Sequence, residues 1–105
     1  MKSTAFLLLL AGLGLSSFVF AVEGDATKGQ QKNSMCIGCH GIDGYRTAFP
    51  TVYGVPKIAG QQAGYLIKAL TEYKNGERSH PSMRAIASSL SDQDMADLAA
   101  FYSKK

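Results

Sequence analysis

The sequence predicts an all-α domain of three to four helices. Apolar residues recur at spacings of three and four around Leu66–Tyr73 and around Met95–Tyr102, the period of a helix that buries one face. Asp25 and Ser91 stand where helices should start, and Asn75-Gly76 stands where one should stop, each with the chemistry of a cap. No βαβ unit is visible between them.

Residues 1–21 are expected to be a secretory signal. Lys2 supplies the positive start, the apolar run extends from Ala5 to Leu15, and Ser16-Ser17 breaks it. Val19-Phe20-Ala21 then offers the residues that a signal peptidase reads, so cleavage is expected after Ala21. Ala5 to Val22 also reaches the length of about eighteen residues needed to span a bilayer, so an uncleaved anchor is the competing reading. In either case the folded part, 22–105, is exported. It is one domain of about 84 residues. A core of that size is marginal by burial alone, which favours a chain that folds around a bound group.

The first predicted helix starts after Asp25 and runs from Ala26 to about Met35. Gly29 lies inside it and costs helix propensity. A close approach of the C-terminal helix explains a glycine there. Met35 reads as a packing residue.

The helix leads into Cys36-Ile37-Gly38-Cys39-His40, the C-x-x-C-H pattern of covalent haem attachment. Two thiols at this spacing can add across the two vinyl groups of one porphyrin edge. The next residue, His40, is then held near the iron at high effective concentration. These are the chain's two cysteines. A thiol–disulfide redox pair would be expected within a βαβ unit. A structural zinc needs four ligands, and no second Cys/His pair follows. A disulfide closing so short a loop constrains the unfolded chain little. Export agrees with the motif, because c-type haem is attached outside the bacterial cytoplasm.

Residues 41–60 hold four glycines together with Pro50 and Pro56, and read as an irregular loop with a short turn near 51–54. Loops of this length are usually functional, and wrapping a haem edge is such a function. A backbone carbonyl here can accept the outer N–H of His40 and fix its ring.

The second helix is predicted from Gln61 to about Asn75, with a core stripe of Leu66, Ile67, Leu70 and Tyr73. Residues 76–84 read as a polar loop. Met83 in this loop is a candidate second axial ligand, because a thioether opposite a histidine favours ferrous iron. It can equally be a gap-filler, and His80 is its rival as a ligand. Ala85 to Leu90 is a short helical piece. Ser91 caps the last helix, with Asp92 and Asp94 in its first turn and Lys104 and Lys105 at its end, in accord with the helix dipole. Its face of Met95, Leu98, Phe101 and Tyr102 is expected to cross the first helix near Gly29, with Met95 in the core.

The formal charge is +3, and +2 without Lys2. No basic cluster or run of like charge is present, so neither nucleic acid nor a polybasic membrane contact is indicated.

Residues 24–103 resemble the small class I c-type cytochromes of bacteria, of the soluble c-553 kind, and one half of the dihaem c-4 type. The resemblance rests on Gly24-Asp25, Cys36-Ile37-Gly38-Cys39-His40-Gly41, Pro56-Lys57-Ile58-Ala59-Gly60-Gln61, Tyr65-Leu66, Leu70, Gly76-Glu77-Arg78, Met83, Leu90-Ser91-Asp92-Gln93-Asp94 and Leu98-Ala99-Ala100-Phe101-Tyr102. It implies the class I fold, with three to four helices wrapped around one covalent haem c. It implies thioethers at Cys36 and Cys39, axial ligation by His40 and Met83, and a Pro56 carbonyl accepting from His40. Asn33 and Ser34 depart from the pattern, standing where many relatives place an aromatic residue.

The implied role is periplasmic electron transfer between protein partners of a respiratory or periplasmic chain, with no enzymatic step and no stable membrane insertion once the signal is removed. A haem subunit or tethered donor of a periplasmic oxidoreductase or terminal oxidase is the alternative. A haem sensor or small peroxidase needs an open distal site, which an available Met83 argues against.

Overall fold

The computed structural model describes residues 22–48 and 52–105. The expected signal, 1–21, lies outside them. The described residues form five helices: α1 (Ala26–Lys32), α2 (Ser34–His40), α3 (Ala63–Asn75), α4 (Pro81–Ser88) and α5 (Asp92–Ser103). The all-α class holds, with five helices where three to four were expected.

One break adds a helix, and one boundary moves. The first predicted helix is broken at Asn33 (φ −83°, ψ 1°), which ends α1 and starts α2. The C-x-x-C-H motif is therefore helical itself, with Cys36 and Ile37 donating backbone N–H groups to the Asn33 carbonyl. The second change is α4, which begins at Pro81 rather than Ala85. Pro81 occupies the first helical position, where its missing N–H leaves no donor orphaned and its fixed φ suits a helix. Met83 is thus a helical residue and not a loop residue. α3 begins two residues later than expected, after Gln62.

The other caps follow their sequence signals. Asp25 accepts from Thr27 N and Lys28 N. Ser91 and Asp94 form a reciprocal capping box at the start of α5. Gly76 closes α3 at φ +81°, a left-handed conformation open to glycine at little cost.

α5 is the central element, packing on α1 along one side and on α3 along another, while α4 packs on α3. The crossing with α1 falls where the sequence places it. A Cβ on Gly29 would fall deep inside the Asp97 carbonyl and against Phe101, and one on Gly24 would meet the Ala96 carbonyl. Two glycines therefore bring the backbones together. The core cluster is Leu66, Leu90, Met95, Leu98, Ala99 and Tyr102.

The same crossing buries Asp97 completely. Its carboxylate accepts from Lys32 Nζ at 2.7 Å, Asp25 N at 2.8 Å and Gln93 Nε2 at 2.8 Å. Lys32 also pairs with Asp94 at 2.7 Å. The Lys32 ammonium, with the Asp25 N–H, holds the Asp97 carboxyl down to about 2 despite its burial.

Between α2 and α3, residues 41–48 and 52–62 lie on the side of the molecule that carries the motif. Arg46 and Gly54 form an isolated antiparallel bridge. Thr47 N donates to the Tyr53 carbonyl at 2.9 Å, and Tyr53 N donates to Thr47 Oγ1 at 3.0 Å. Of the turn expected at 51–54, Thr51 lies outside the described residues and Gly54 sits in this bridge. Gly60 N donates to the Tyr102 carbonyl, tying the loop's far end to α5.

Candidate haem site

Helix α2 presents Cys36, Cys39 and His40 to a cavity of about 460 Å³, and Met83 reaches the same cavity from α4. That volume falls within the range of small-molecule and cofactor sites, roughly 300–1,000 Å³. Leu66, Leu70, Leu98 and Ala99 give it apolar walls, and the loop contributes Val55, Pro56 and Ile58. The stripe on α3 and the face of α5 are therefore core on one side and cavity wall on the other.

Cys36 and Cys39 are free thiols, and burial pushes the Cys36 thiol up, keeping it neutral. His40 Nδ1 lies 2.7 Å from the Pro56 carbonyl oxygen. A carbonyl can only accept, so Nδ1 is the donor, and in the neutral ring Nε2 is the nitrogen with the lone pair. That is the state a metal-ligating imidazole requires, with its orientation fixed from outside.

The other methionines divide clearly. Met95 is 2% exposed in the core and does not line the cavity. Met35 does line it, but is half-exposed and precedes Cys36 on α2, the element that supplies His40. Met83 comes from a different helix. His80 also lines the cavity, but its Nδ1 accepts from Met83 N at 3.3 Å, capping α4.

Several wall residues carried no site signal in sequence. Tyr102 lines the cavity with its hydroxyl buried and without a hydrogen-bond partner among the described residues, an uncommon state for a buried polar atom. Arg78 also lines the cavity. It is paired with Glu72, and its guanidinium lies 5.7 and 5.8 Å from the Tyr65 and Tyr73 ring centres, within cation–π range. That pairing holds the Glu72 carboxyl below its ordinary value. The tyrosines could have been found as polar-tipped aromatics on faces otherwise aliphatic.

Two unbridged thiols, an oriented imidazole and a thioether on the walls of one apolar cavity fit a covalently held haem. The fold and the site together define a c-type cytochrome. The chain belongs to the Cytochrome c family, whose model matches residues 26–104, and haem c is the group that this family binds. It is 41% identical to cytochrome c4 of Pseudomonas aeruginosa over 97 residues, covering 92% of this chain and 46% of that protein. It is 40% identical to cytochrome c-554(548) of Halomonas halodenitrificans over 85 residues, covering 78% of this chain and 98% of that one. Reduced recombinant cytochrome c4 from Pseudomonas stutzeri superposes with a TM-score of 0.62 at 38% identity, over 78% of this chain and 46% of that chain. The chain thus spans about half the length of the cytochrome c4 relatives it matches. Among the described residues, no helix is long and apolar enough to cross a membrane.

Proposed function

We propose that the chain is a periplasmic electron carrier, with domain 22–105 exported by the signal 1–21 and holding one haem c. Cys36 and Cys39 would hold the haem through thioethers, with His40 and Met83 as axial ligands. When bound, haem c supplies a one-electron ferric–ferrous couple. The observation that carries this reading is the meeting of His40 and Met83, from α2 and α4, in one cavity with both thiols. With His40 and Met83 both holding the iron, no position would be left for a substrate, which makes the role electron transfer and not catalysis.

The remaining residues serve that role. The Pro56 carbonyl holds the His40 ring and makes its imidazole a better donor. The apolar walls exclude water, which limits solvent rearrangement and raises the potential. Half-exposed apolar side chains flank the cysteines, among them Ile37 and Ile42. A small apolar surface suits brief docking with redox partner proteins. The chain is also 33% identical to a thiosulfate dehydrogenase electron acceptor of Stutzerimonas stutzeri, which supports a place between an oxidising enzyme and a later acceptor.

A second reading has its own observation. The chain is 30% identical, over 97% of its length, to the cytochrome subunit of sulfide dehydrogenase of Chlorobaculum tepidum. A stable subunit of a larger oxidoreductase would copurify with its partner, whereas a free carrier would not.

Replacing Met83 by Ala tests the ligation. The variant should have a lower reduction potential, and its ferrous form should bind carbon monoxide. An unchanged potential with no carbon monoxide binding would overturn the assignment.

A further inference from the structure

We infer that His80 is a positioning residue that holds Met83 against the haem iron by capping α4, and not a rival ligand. The inference rests on the reading of Met83 as an axial ligand. α4 is a short helix of eight residues, so a terminal cap is a large part of its local stability. His80 has the extended backbone of an N-cap (φ −152°, ψ 113°), and its Nδ1 accepts from the N–H of Met83, the third helical residue. Its carbonyl accepts from Arg84 N at 2.8 Å. One residue thus grips the first turn through both side chain and backbone, and the side-chain bond ends on Met83 itself.

The ring of His80 is held in turn. Tyr53 lies against it, with ring centres 4.6 Å apart at 58°. Tyr53 is itself pinned by its paired hydrogen bonds with Thr47. The loop that carries Pro56, the His40 partner, therefore also braces the cap beneath Met83. The two axial ligands are supported from one loop, through a carbonyl on one side and through Tyr53–His80 on the other. The same bond gives His80 a function that does not require its nitrogens at the iron.

The physical consequence concerns how easily Met83 gives way. Loss of an N-cap side chain frees the first turn of a helix and favours states in which Met83 has left the iron. A typical cap loss corresponds to about a fivefold change in such an equilibrium. Asparagine is also a good N-cap and can accept from the same N–H, but its side chain has no ring.

The test uses the haem-loaded protein, its His80→Ala and His80→Asn variants, and Met83→Ala as the reference for a site without its thioether. Ferric protein is titrated with imidazole, and the weak far-red sulfur-to-iron band is followed as Met83 is displaced. The expected result is displacement at about fivefold lower imidazole in His80→Ala, with His80→Asn restored close to the parent protein. Equal displacement in His80→Ala and the parent would overturn the inference. So would equal weakening in both variants, because the effect would then belong to the ring contact with Tyr53 and not to the cap. Failure of the ligation reading has a separate signature: the parent itself would lack the far-red band and would titrate like Met83→Ala.

Discussion

The crossing of α1 and α5 makes a sharp prediction about Gly29. In an isolated helix, Gly29→Ala would stabilise by about 0.5–1 kcal/mol, because alanine loses less backbone entropy. Here the new methyl would fall inside the Asp97 carbonyl and press on Phe101. A carbonyl belongs to the backbone and cannot rotate aside, so the helices must separate. Overpacking of this kind costs about 1–3 kcal/mol, and separation also strains the bonds from Asp25 and Lys32 to Asp97 across the same crossing. The clash outweighs the propensity gain, leaving a net loss of about 1–2 kcal/mol. In a domain of this size that lowers Tm by roughly 5–15 °C. The assay is thermal unfolding of the haem-loaded protein by far-ultraviolet circular dichroism. Gly64→Ala is the control. Gly64 lies in α3 with nothing within 4 Å of an added Cβ, and the same substitution there should be neutral or stabilising. If Gly29→Ala were as stable as the parent while Gly64→Ala behaved as expected, the close crossing would be refuted.

Two further predictions concern α5. Asp97 titrates near 2 in the folded protein against an ordinary 3.8, so the unfolded chain binds its proton first as pH falls. Its contribution is complete above about pH 4 and is lost as pH falls toward 2. Asp97→Asn should destabilise the protein by about 2 kcal/mol at pH 7 and flatten the loss of stability between pH 4 and 2, read from denaturant unfolding at each pH. Ser91→Ala removes one half of the capping box on α5 and should cost about 1 kcal/mol by denaturant unfolding. A cost near zero would mean that the box contributes nothing beyond solvent.

Local chemistry made much of this fold legible in the sequence. Asp25, Ser91 and Gly76 act within a few residues of their own positions, so their signals survive without knowledge of the rest of the chain. The stripe Leu66–Tyr73 and the face around Leu98 and Tyr102 follow helical spacing, and Gly29 pointed to a close crossing because a glycine inside a helix needs a reason. The start of α4 was missed because Ser79-His80-Pro81 has the composition of a loop. The same three residues read differently once histidine is allowed as a cap and proline as the first helical residue. Asp97 was invisible for a different reason. A single acid in a helix reads as solvated, and the lysine that pairs with it lies 65 positions away. The break at Asn33 was equally hidden, since no glycine or proline marks it.

The site shows the same division. Cys36, Cys39 and His40 carry a local motif, and the structure sets all three on one helix beside the cavity. Met83 and Pro56 lie far along the chain, and spacing alone left Met83 level with a packing role. Tyr102 and Arg78 carried no site signal of their own, because what marks them is a buried hydroxyl without a partner among the described residues and a guanidinium near two rings.

The central claim is that His40 and Met83 close both axial positions of a covalently held haem. It is tested most directly by the absorption spectrum of protein expressed with a c-type haem maturation system, recorded oxidised, reduced, and reduced with carbon monoxide. The expected result is a low-spin spectrum with the far-red sulfur-to-ferric-iron band, unchanged by carbon monoxide. A high-spin spectrum that shifts with carbon monoxide would contradict the claim, and so would a chain that carries no covalent haem.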